Sequence, residues 1–252
     1  MMSIFYFEML NYVWIGIAVV TFLTLVFTKI RAPYGRHANE KWGKMIDNKW
    51  GWFWMELPAF LIFPLVTIFG PREKDTLTWI LVALWSLHYF NRTVIFPFRL
   101  RTSGKKMPLT IVFSALFFNG MNGFLNGYYL GFLAPEDGSY LTWNVIAGIL
   151  LFFSGLFINQ LTDTKLIQLR KEQDGYVIPR KWLFEYISCP NHFGEILEWF
   201  GFALAAFCLP ALTFAIWTAC NLIPRALNHH DWYQENFEDY PKKRKAVLPF
   251  IW

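Results

Sequence analysis

The sequence predicts an all-α, polytopic integral membrane protein with seven transmembrane helices. Three observations support this prediction: apolar runs of about 20 residues recur along the chain, the composition is very apolar, and positive charges concentrate in alternate loops. Of the 252 residues, 55% are hydrophobic and only 16% are charged, which is unusual for a soluble domain. The runs are too long for barrel strands and lack two-residue alternation, so we expect helices.

Five spans follow directly from the apolar runs. They cover residues 10–30, 51–70, 77–98, 109–133 and 142–165. The next apolar stretch, from about residue 193 to 228, is too long for one crossing and carries Pro210 near its middle. Because proline interrupts a helix, we predict two short helices that form a hairpin turning near Pro210.

Basic residues mark alternate loops and indicate the orientation. The loops that alternate with these basic loops are short, and their net charge is balanced or acidic, as in Arg72-Glu73-Lys74-Asp75 and Glu136-Asp137. The positive-inside rule therefore predicts an N-terminus outside the membrane and cytoplasmic segments at residues 31–50, 99–108 and 165–181. The basic run at 242–245 should also be cytoplasmic, which requires an even number of crossings after residue 190 and favours two.

The chain is expected to form a single domain, because it shows neither an internal repeat nor a low-complexity linker. Its net charge of +5 is explained by the basic loops, so we expect no nucleic-acid partner. Cys189, Cys208 and Cys220 lack metal-ligand spacing, and two of them lie in apolar helical sequence. We therefore expect neither a metal site nor a disulfide framework.

Ionisable residues inside two predicted spans are candidates for function, because such residues are costly in a bilayer. Glu56 lies early in the second span, directly before Leu57-Pro58. The alternative for Glu56 is an interfacial carboxylate that faces lipid headgroups. In the third span, His88, Tyr89, Asn91 and Arg92 fall within five residues. The alternative is a purely structural role, in which Tyr89 only donates to a backbone carbonyl. That role could account for one tyrosine, but it accounts less well for four polar groups in five residues.

The fourth span carries Asn119, Asn122 and Asn126 on one face, each followed by a glycine. Small residues and amides of this kind typically mediate close packing between transmembrane helices. We therefore interpret this stripe as a helix-packing surface.

The fifth span combines an amide, a carboxylate and a guanidinium. Asn159 and Asp163 are four residues apart and share a face, and Arg170 follows two turns later. This row suits an elongated polar ligand that enters from the cytoplasm. The alternative is a self-sufficient Asp163–Arg170 ion pair, which the seven-residue spacing makes less direct.

More polar groups flank the predicted hairpin. Asn191 is a natural N-cap, and Glu195 and Glu198 fall in the early helical turns, where the helix dipole favours anions. Capping alone does not explain two acids and His192 at the start of an apolar helix. Further polar residues follow the last span on the cytoplasmic side: Arg225, His229, His230, Asp231 and Tyr233. No dinucleotide-binding, P-loop or zinc-hydrolase motif occurs in the sequence.

Several motifs resemble the steroid 5α-reductase (3-oxo-5α-steroid 4-dehydrogenase) family, in the same order and over nearly the whole chain. They are Ala32-Pro33-Tyr34-Gly35-Arg36-His37, Glu56-Leu57-Pro58, His88-Tyr89-Phe90-Asn91-Arg92-Thr93, Gly127-Tyr128-Tyr129-Leu130, Cys189-Pro190-Asn191-His192-Phe193-Gly194-Glu195 with Glu198-Trp199, and Phe237-Glu238-Asp239-Tyr240-Pro241-Lys242-Lys243-Arg244-Lys245-Ala246 with Pro249-Phe250. The C-terminal half alone is also compatible with enoyl-CoA reductases and, more distantly, isoprenylcysteine methyltransferases.

The resemblance implies a seven-helix enzyme that binds NADPH in its cytoplasmic half, at about residues 136–252, and a 3-oxo-Δ4-steroid among the helices of about residues 1–135. By position, Glu56 and Tyr89 match the pair that holds the steroid C3 carbonyl. Other positions match the cofactor-binding set: Tyr34, Arg92, Arg101, Lys105, Asn159, Asp163, Arg170, Tyr176, Asn191, Glu195, Arg225, His229 and Tyr233.

The implied reaction is consistent with these residue types. Hydride transfer to the β-carbon of an enone builds negative charge on the carbonyl oxygen, which an aimed hydrogen-bond donor stabilises. Tyr89 has a phenol that can donate, and Glu56 can orient it, or donate itself if burial keeps it protonated.

The resemblance also implies a lipophilic substrate such as testosterone or progesterone, contact with membrane lipid, and a monomer. The membrane would be the endoplasmic reticulum in a eukaryote or the inner membrane in a bacterium, with the cofactor cavity open to the cytoplasm. Three alternatives remain open: a membrane enoyl-CoA or polyprenol reductase, a methyltransferase of the isoprenylcysteine type, and a non-enzymatic scaffold. A methyltransferase would not need Glu56 opposite Tyr89, and a scaffold would not need intramembrane acids.

Overall fold

The computed structural model describes residues 2–31, 33, 35–100, 104–135, 139–172 and 175–250. Within them the chain is mainly helical, as the sequence predicted, and its helices are α1 (Ile4–Thr28), α2 (Asn48–Phe69), α3 (Thr76–Phe90), α4 (Phe96–Arg99), α5 (Leu109–Tyr128), α6 (Trp143–Glu172), α7 (Pro190–Ala206) and α8 (Leu209–Asn236). Short 3-10 helices cover Gly35–His37, Glu40–Trp42 and Trp182–Glu185.

Four helical segments are long and apolar enough to cross a membrane: Ile4–Thr28, Asn48–Phe69, Leu109–Leu133 and Trp143–Glu172. These segments are consistent with an integral membrane protein. Seven crossings, and the side on which each terminus lies, stay predictions.

Two short strands were not expected in an all-α protein. β1 (Met45–Asp47) pairs antiparallel with β2 (Lys106–Pro108), with Ile46 opposite Met107. The ladder joins the loop before α2 to the loop before α5, and Asn48 N donates to Lys105 O at 3.0 Å beside it. Three residues per strand are too few for a recognisable alternating pattern, which explains why the sequence did not reveal them.

The third predicted span is helical throughout but contains a π-helical turn. α3 ends at Phe90, a π-helical turn covers Asn91–Ile95, and α4 follows. Pro97 lies in the first turn of α4 and has no N–H to donate to the preceding turn. A second π-helical turn, Tyr129–Leu133, extends α5. Such turns are frequent near functional sites, and the first one begins two residues after Tyr89.

The described chain forms two compact groups of residues, which we call the first and second units. The first unit comprises Met1–Tyr12, Ala32–Ile146 and Ala205–Ala211, and the second comprises Val13–Arg31, Ala147–Leu204 and Leu212–Trp252. The core of the first unit includes Trp85, which stacks on Phe63 with ring centroids 4.4 Å apart. The core of the second includes Trp199, whose ring centroid lies 4.5 Å from that of Phe214.

In the first unit, the glycine and asparagine face of α5 packs against α2. A Cβ placed on Gly127 would lie 2.8 Å from Phe63 O, so only glycine allows this approach. Asn119 Nδ2 donates to Met55 O across the same interface at 2.6 Å. The predicted role of this stripe in helix packing is confirmed.

Arg72 organises the loop between α2 and α3. Its side chain donates to Ala134 O at 2.8 Å and to Leu130 O at 3.3 Å, and it pairs with Asp75 at 2.9 Å. Asp75 in turn caps α3 by accepting from Thr78 N at 2.7 Å. The sequence showed only a short, charge-balanced loop here, whereas the structure shows a buried arginine that satisfies the C-terminal carbonyls of another helix.

The predicted hairpin break near Pro210 is confirmed in position. α7 ends at Ala206, Phe207 has a positive φ of 45°, and α8 begins at Leu209 with Pro210 in its first turn. α8 continues to Asn236, so residues 225–233, which the sequence placed after the last span, lie on the helix that begins at Leu209. Polarity ends a membrane span but does not end a helix.

Candidate active site

Glu56 lies on α2 in the first unit and is half-buried. Asn119 Nδ2, on α5, donates to its Oε2 at 3.3 Å while also bonding the backbone of α2 at Met55. The amide therefore orients the carboxyl group from a neighbouring helix. This contact favours a held side chain over an interfacial carboxylate free among headgroups.

Tyr89 lies on α3 in the same unit, and only 3% of it is exposed. Its ring contacts Trp85 at 5.1 Å and His88 at 5.0 Å. Trp85 also connects the two helices, because its Nε1 donates to Ala59 O on α2 at 2.8 Å. Packing therefore restricts the rotamer of Tyr89, as precise placement of a hydroxyl requires.

Four of the residues predicted to bind the cofactor fall between residues 32 and 146, within the bounds of the first unit. Arg92, on the π-helical turn, lies 4.4 Å from the ring of Phe96 and 5.2 Å from that of Trp52. Lys105 precedes β2, and its carbonyl accepts from Asn48 N. Tyr34 and Arg101 lie outside the described residues.

In the second unit, four predicted residues form one hydrogen-bonded group between α6 and α7. Asn159 Nδ2 donates to Asn191 O at 3.1 Å and to Glu195 Oε2 at 3.4 Å. Asn191 Nδ2 donates to Asp163 Oδ1 at 3.2 Å. Asn159 is 1% exposed and Asp163 6%. The structure thus brings together residues that lie about 30 positions apart in sequence.

A glycine that the sequence analysis did not single out makes this group possible. A Cβ on Gly194 would lie 2.6 Å from Asn159 N and 2.7 Å from Gly155 O. The two helices therefore approach at backbone contact distance, and only glycine fits at position 194. Spacing of small residues on both helices was the signal that could have shown it.

Arg170, near the end of α6, lies against an aromatic pair. Its guanidinium carbon is 3.2 Å from the ring centroid of Tyr176, which is 5.0 Å from the ring of Trp232. Asp163, seven residues earlier on α6, accepts from Asn191 Nδ2. Trp232 was not among the predicted site residues.

Arg225, His229 and Tyr233 follow one another at four-residue intervals on α8, so they share a face. The His229 ring centroid lies 5.8 Å from that of His192 on α7. Tyr233 is buried, and its ring stacks on Tyr240 at 5.4 Å with an interplanar angle of 7°. All nine cofactor candidates from Asn159 onwards lie in the second unit: Asn159, Asp163, Arg170, Tyr176, Asn191, Glu195, Arg225, His229 and Tyr233.

The part of the chain that the structure describes contains no group of side chains that could bind a metal ion. There, no three histidine, cysteine, aspartate or glutamate side chains come together as potential ligands. The described groups are instead amides, carboxylates, guanidinium groups and aromatic rings, which suit an organic ligand that carries both anions and hydrogen-bonding groups.

Proteins of known function resemble this chain over most of its length. The family described as 3-oxo-5-alpha-steroid 4-dehydrogenase matches residues 105–252. Steroid 5-alpha-reductase DET2 of Gossypium hirsutum is 40% identical over 247 residues, which cover 94% of this chain and 93% of the relative. 3-oxo-5-alpha-steroid 4-dehydrogenase 1 of Bos taurus is 39% identical over 255 residues, 98% of this chain and 97% of the relative.

The human 3-oxo-5-alpha-steroid 4-dehydrogenase 1 is also 39% identical, over 222 residues that cover 86% of this chain and 85% of the relative. Plant and animal relatives thus match almost the entire length at similar identity. The chain therefore belongs to the 3-oxo-5-alpha-steroid 4-dehydrogenase family and is an oxidoreductase that acts on CH–CH groups.

Proposed function

We propose that the protein reduces the Δ4 double bond of 3-oxo-Δ4-steroids to 5α-dihydro products in an NADPH-dependent reaction. The observation that supports this most strongly is the match to relatives named for this activity over more than nine tenths of the chain. The arrangement of polar groups within each unit supports it independently.

Glu56 and Tyr89 are the proposed catalytic residues. Reduction at the β-carbon of the enone builds negative charge on the C3 oxygen, and one donor aimed at such an oxygen is worth about 2.7–4 kcal/mol. The Tyr89 hydroxyl is the proposed donor, on a ring that Trp85 and His88 contact. Asn119 orients Glu56, which in turn orients the hydroxyl or donates a second hydrogen bond.

The groups of the second unit fit NADPH, which would supply the hydride when bound. Arg170 and Arg225 would pair with its phosphates, since guanidinium groups bind phosphate bidentately. The network of Asn159, Asp163, Asn191 and Glu195 offers the donors and acceptors that a carboxamide and ribose hydroxyls require. His229, Tyr233 and Tyr176, together with Arg92, Lys105, Tyr34 and Arg101, complete the proposed set.

The same proposal includes the identity of the substrate, the membrane topology and the parts of the chain that bind steroid and cofactor. The substrate is a lipophilic steroid such as testosterone or progesterone, which reaches the protein from membrane lipid. The chain crosses the endoplasmic reticulum or inner membrane seven times as a monomer, with the cofactor half facing the cytoplasm. Residues 1–135 mainly bind the steroid, and residues 136–252 mainly bind the cofactor.

The decisive experiment is turnover by purified protein in detergent or nanodiscs. We expect NADPH oxidation on addition of testosterone or progesterone, with one 5α-dihydro product per NADPH consumed, identified by mass spectrometry against both 5α and 5β standards. Enoyl-CoA and polyprenol substrates serve as the comparison. Turnover of one of these without steroid reduction would contradict the proposed substrate class.

A further inference from the structure

The basic C-terminal tail folds back along the segment that precedes α7. Lys245 N donates to Tyr186 O at 2.8 Å, and Ser188 N donates to Lys245 O at 2.8 Å. Cys189 N then bonds Ala246 O at 3.0 Å. We call residues 240–247 the C-terminal strap, and its hydrogen bonds make it an integral part of the second unit.

The Ser188 hydroxyl lies at the centre of this contact. Its oxygen is 2.6 Å from His230 Nδ1, 2.5 Å from Tyr240 Oη and 3.0 Å from Lys245 O. Ser188 has one hydrogen to donate, and the Lys245 carbonyl can only accept. Therefore Ser188 donates to Lys245 O, while Tyr240 Oη–H and His230 Nδ1–H both donate to Ser188.

This assignment places a hydrogen on His230 Nδ1. The other ring nitrogen, Nε2, lies 2.9 Å from Gln234 Nε2 at the exposed side of the ring. The Nδ1–H donor to Ser188 is present in the neutral and the protonated imidazole alike, so the cluster of Ser188, His230 and Tyr240 does not depend on the charge of His230.

The strap reaches the proposed cofactor site through one aromatic stack. Tyr240 is parallel to Tyr233, which shares a face of α8 with His229 and Arg225. The buried Arg244 places its guanidinium carbon 5.0 Å from the Tyr240 ring. Tyr240 therefore has its hydroxyl bonded by Ser188 and its ring packed against Tyr233, with a cation nearby.

We infer that Tyr240 is a positioning residue for the cofactor site: the C-terminal strap, held at Ser188 by hydrogen bonds with His230, Tyr240 and Lys245, sets the position of Tyr233 and thereby the affinity for NADPH. This inference rests on the proposed function of the second unit. It assigns a role to a tail that, in sequence, shows only basic charge and a motif shared with relatives.

The test measures NADPH binding to purified, folded protein by titration calorimetry, alongside steady-state kinetics. Tyr240→Leu removes both ring and hydroxyl, and we expect the NADPH Kd to rise about tenfold, the effect of losing one aromatic contact and one hydrogen bond. Tyr240→Phe and Ser188→Ala keep the ring stack and should raise the Kd only about threefold. The kcat at saturating NADPH and steroid should change less than the Kd in each.

The matched control is Tyr186→Leu. Tyr186 is also next to the strap, but its exposed ring contacts Phe250 rather than a proposed cofactor residue. We expect its NADPH Kd to equal that of the wild type.

A Kd within twofold of the wild type in folded Tyr240→Leu would overturn the inference. If that variant cannot be purified folded, an unchanged NADPH Kd in Ser188→Ala would overturn it instead. Wild-type protein that binds no NADPH would refute the proposed cofactor as well, so the two failures are distinguishable.

Discussion

The indole Nε1 of Trp85 donates a hydrogen bond of 2.8 Å to the backbone oxygen of Ala59 and so joins α3 to α2. Glu56 precedes Ala59 by three residues, and Tyr89 follows Trp85 by four. α2 and α3 are joined by a short loop and run in opposite directions, so a step backwards along α2 and a step forwards along α3 lead to the same end of the helix pair. At 1.5 Å per residue, Glu56 lies about 4.5 Å from Ala59 along the axis of α2, and Tyr89 lies about 6 Å from Trp85 along the axis of α3. Glu56 and Tyr89 are therefore at a similar level along the two helices.

From this arrangement we predict that Glu56→Gln and Tyr89→Phe each lower kcat/KM by about 10²–10³-fold, the usual effect of losing one donor at a developing oxyanion. NADPH affinity and thermal stability should be retained. The double variant should lose much less than the product of the two single losses, because residues that act as a unit are non-additive. Single-turnover reduction and NADPH binding on the same preparations measure both quantities.

The control for that experiment is Tyr128→Phe. Tyr128 is a tyrosine of the same unit whose hydroxyl accepts from Met2 N at 2.7 Å. Its removal should leave kcat/KM within about twofold of the wild type, as for ordinary substitutions outside a site. Wild-type rates in folded Glu56→Gln and Tyr89→Phe would end the catalytic assignment. Loss of stability together with activity would indicate that the pair only braces two helices.

Charge reversal at Arg170 tests the proposed cofactor. We expect Arg170→Glu to raise the NADPH KM by about ten- to a hundredfold, because a carboxylate would replace a phosphate partner. NADPH should be strongly preferred to NADH by the wild type. The matched control is Lys171→Glu, the same charge change at the adjacent, exposed position. Equal kcat/KM for the two nucleotides, or an unchanged KM in Arg170→Glu, would contradict the assignment.

The Arg72 contacts predict a stability effect that leaves the chemistry untouched. Arg72→Met removes the partner of Asp75 and leaves Leu130 O and Ala134 O without their donor. We expect the free energy of unfolding to fall by about 3 kcal/mol. Thermal unfolding in detergent measures this, with Glu73→Gln at an exposed neighbouring position as control. An unchanged melting temperature in Arg72→Met would show that this loop does not stabilise the fold.

The same loop should show an acid dependence. Burial raises the pKa of Asp75, but hydrogen bonds from Thr78 and Arg72 and the charge of Arg72 outweigh it, so the net pKa lies below 3.8. A depressed carboxyl pKa contributes stability above the unfolded value, and this contribution is lost as the pH falls through the folded value. The difference in melting temperature between wild type and Asp75→Asn should therefore shrink below about pH 4. A constant difference from pH 7 to 3 would contradict this.

Topology is testable by labelling single cysteines introduced at Glu136 and Lys243. Seven crossings with the N-terminus outside place these positions on opposite sides of the membrane, because three spans separate them. A membrane-impermeant maleimide should then label position 136 and position 243 from different sides in oriented vesicles. Labelling of both from one side would require an even number of crossings between them.

The regular helices were the most predictable part of the fold. The runs of apolar residues located α1, α2, α5 and α6, and Pro210 located the break before α8. The stripe of Asn119, Asn122 and Asn126 correctly indicated a packing surface. These features are readable because helical hydrogen bonds, apolar spans and i, i+4 faces depend only on residues close together in the chain.

Motif resemblance extended the prediction to candidate residues, but not to their surroundings. Glu56 and Tyr89 were singled out, yet neither Asn119 nor Trp85 was connected with them. Arg225, His229 and Tyr233 were identified, although the sequence did not show that they share a face of one continuous helix. In the structure α8 continues through all three of them to Asn236.

By itself, the sequence determined the helical membrane class, the position of most helices and the residue types available for an enone and a dinucleotide. Only the tertiary structure decided which of these residues meet. Asn119 and Glu56 are 63 positions apart, and Ser188 and Tyr240 are 52 apart. Such contacts depend on backbone approach at particular glycines and on the direction of each side chain, and no local periodicity encodes either of them.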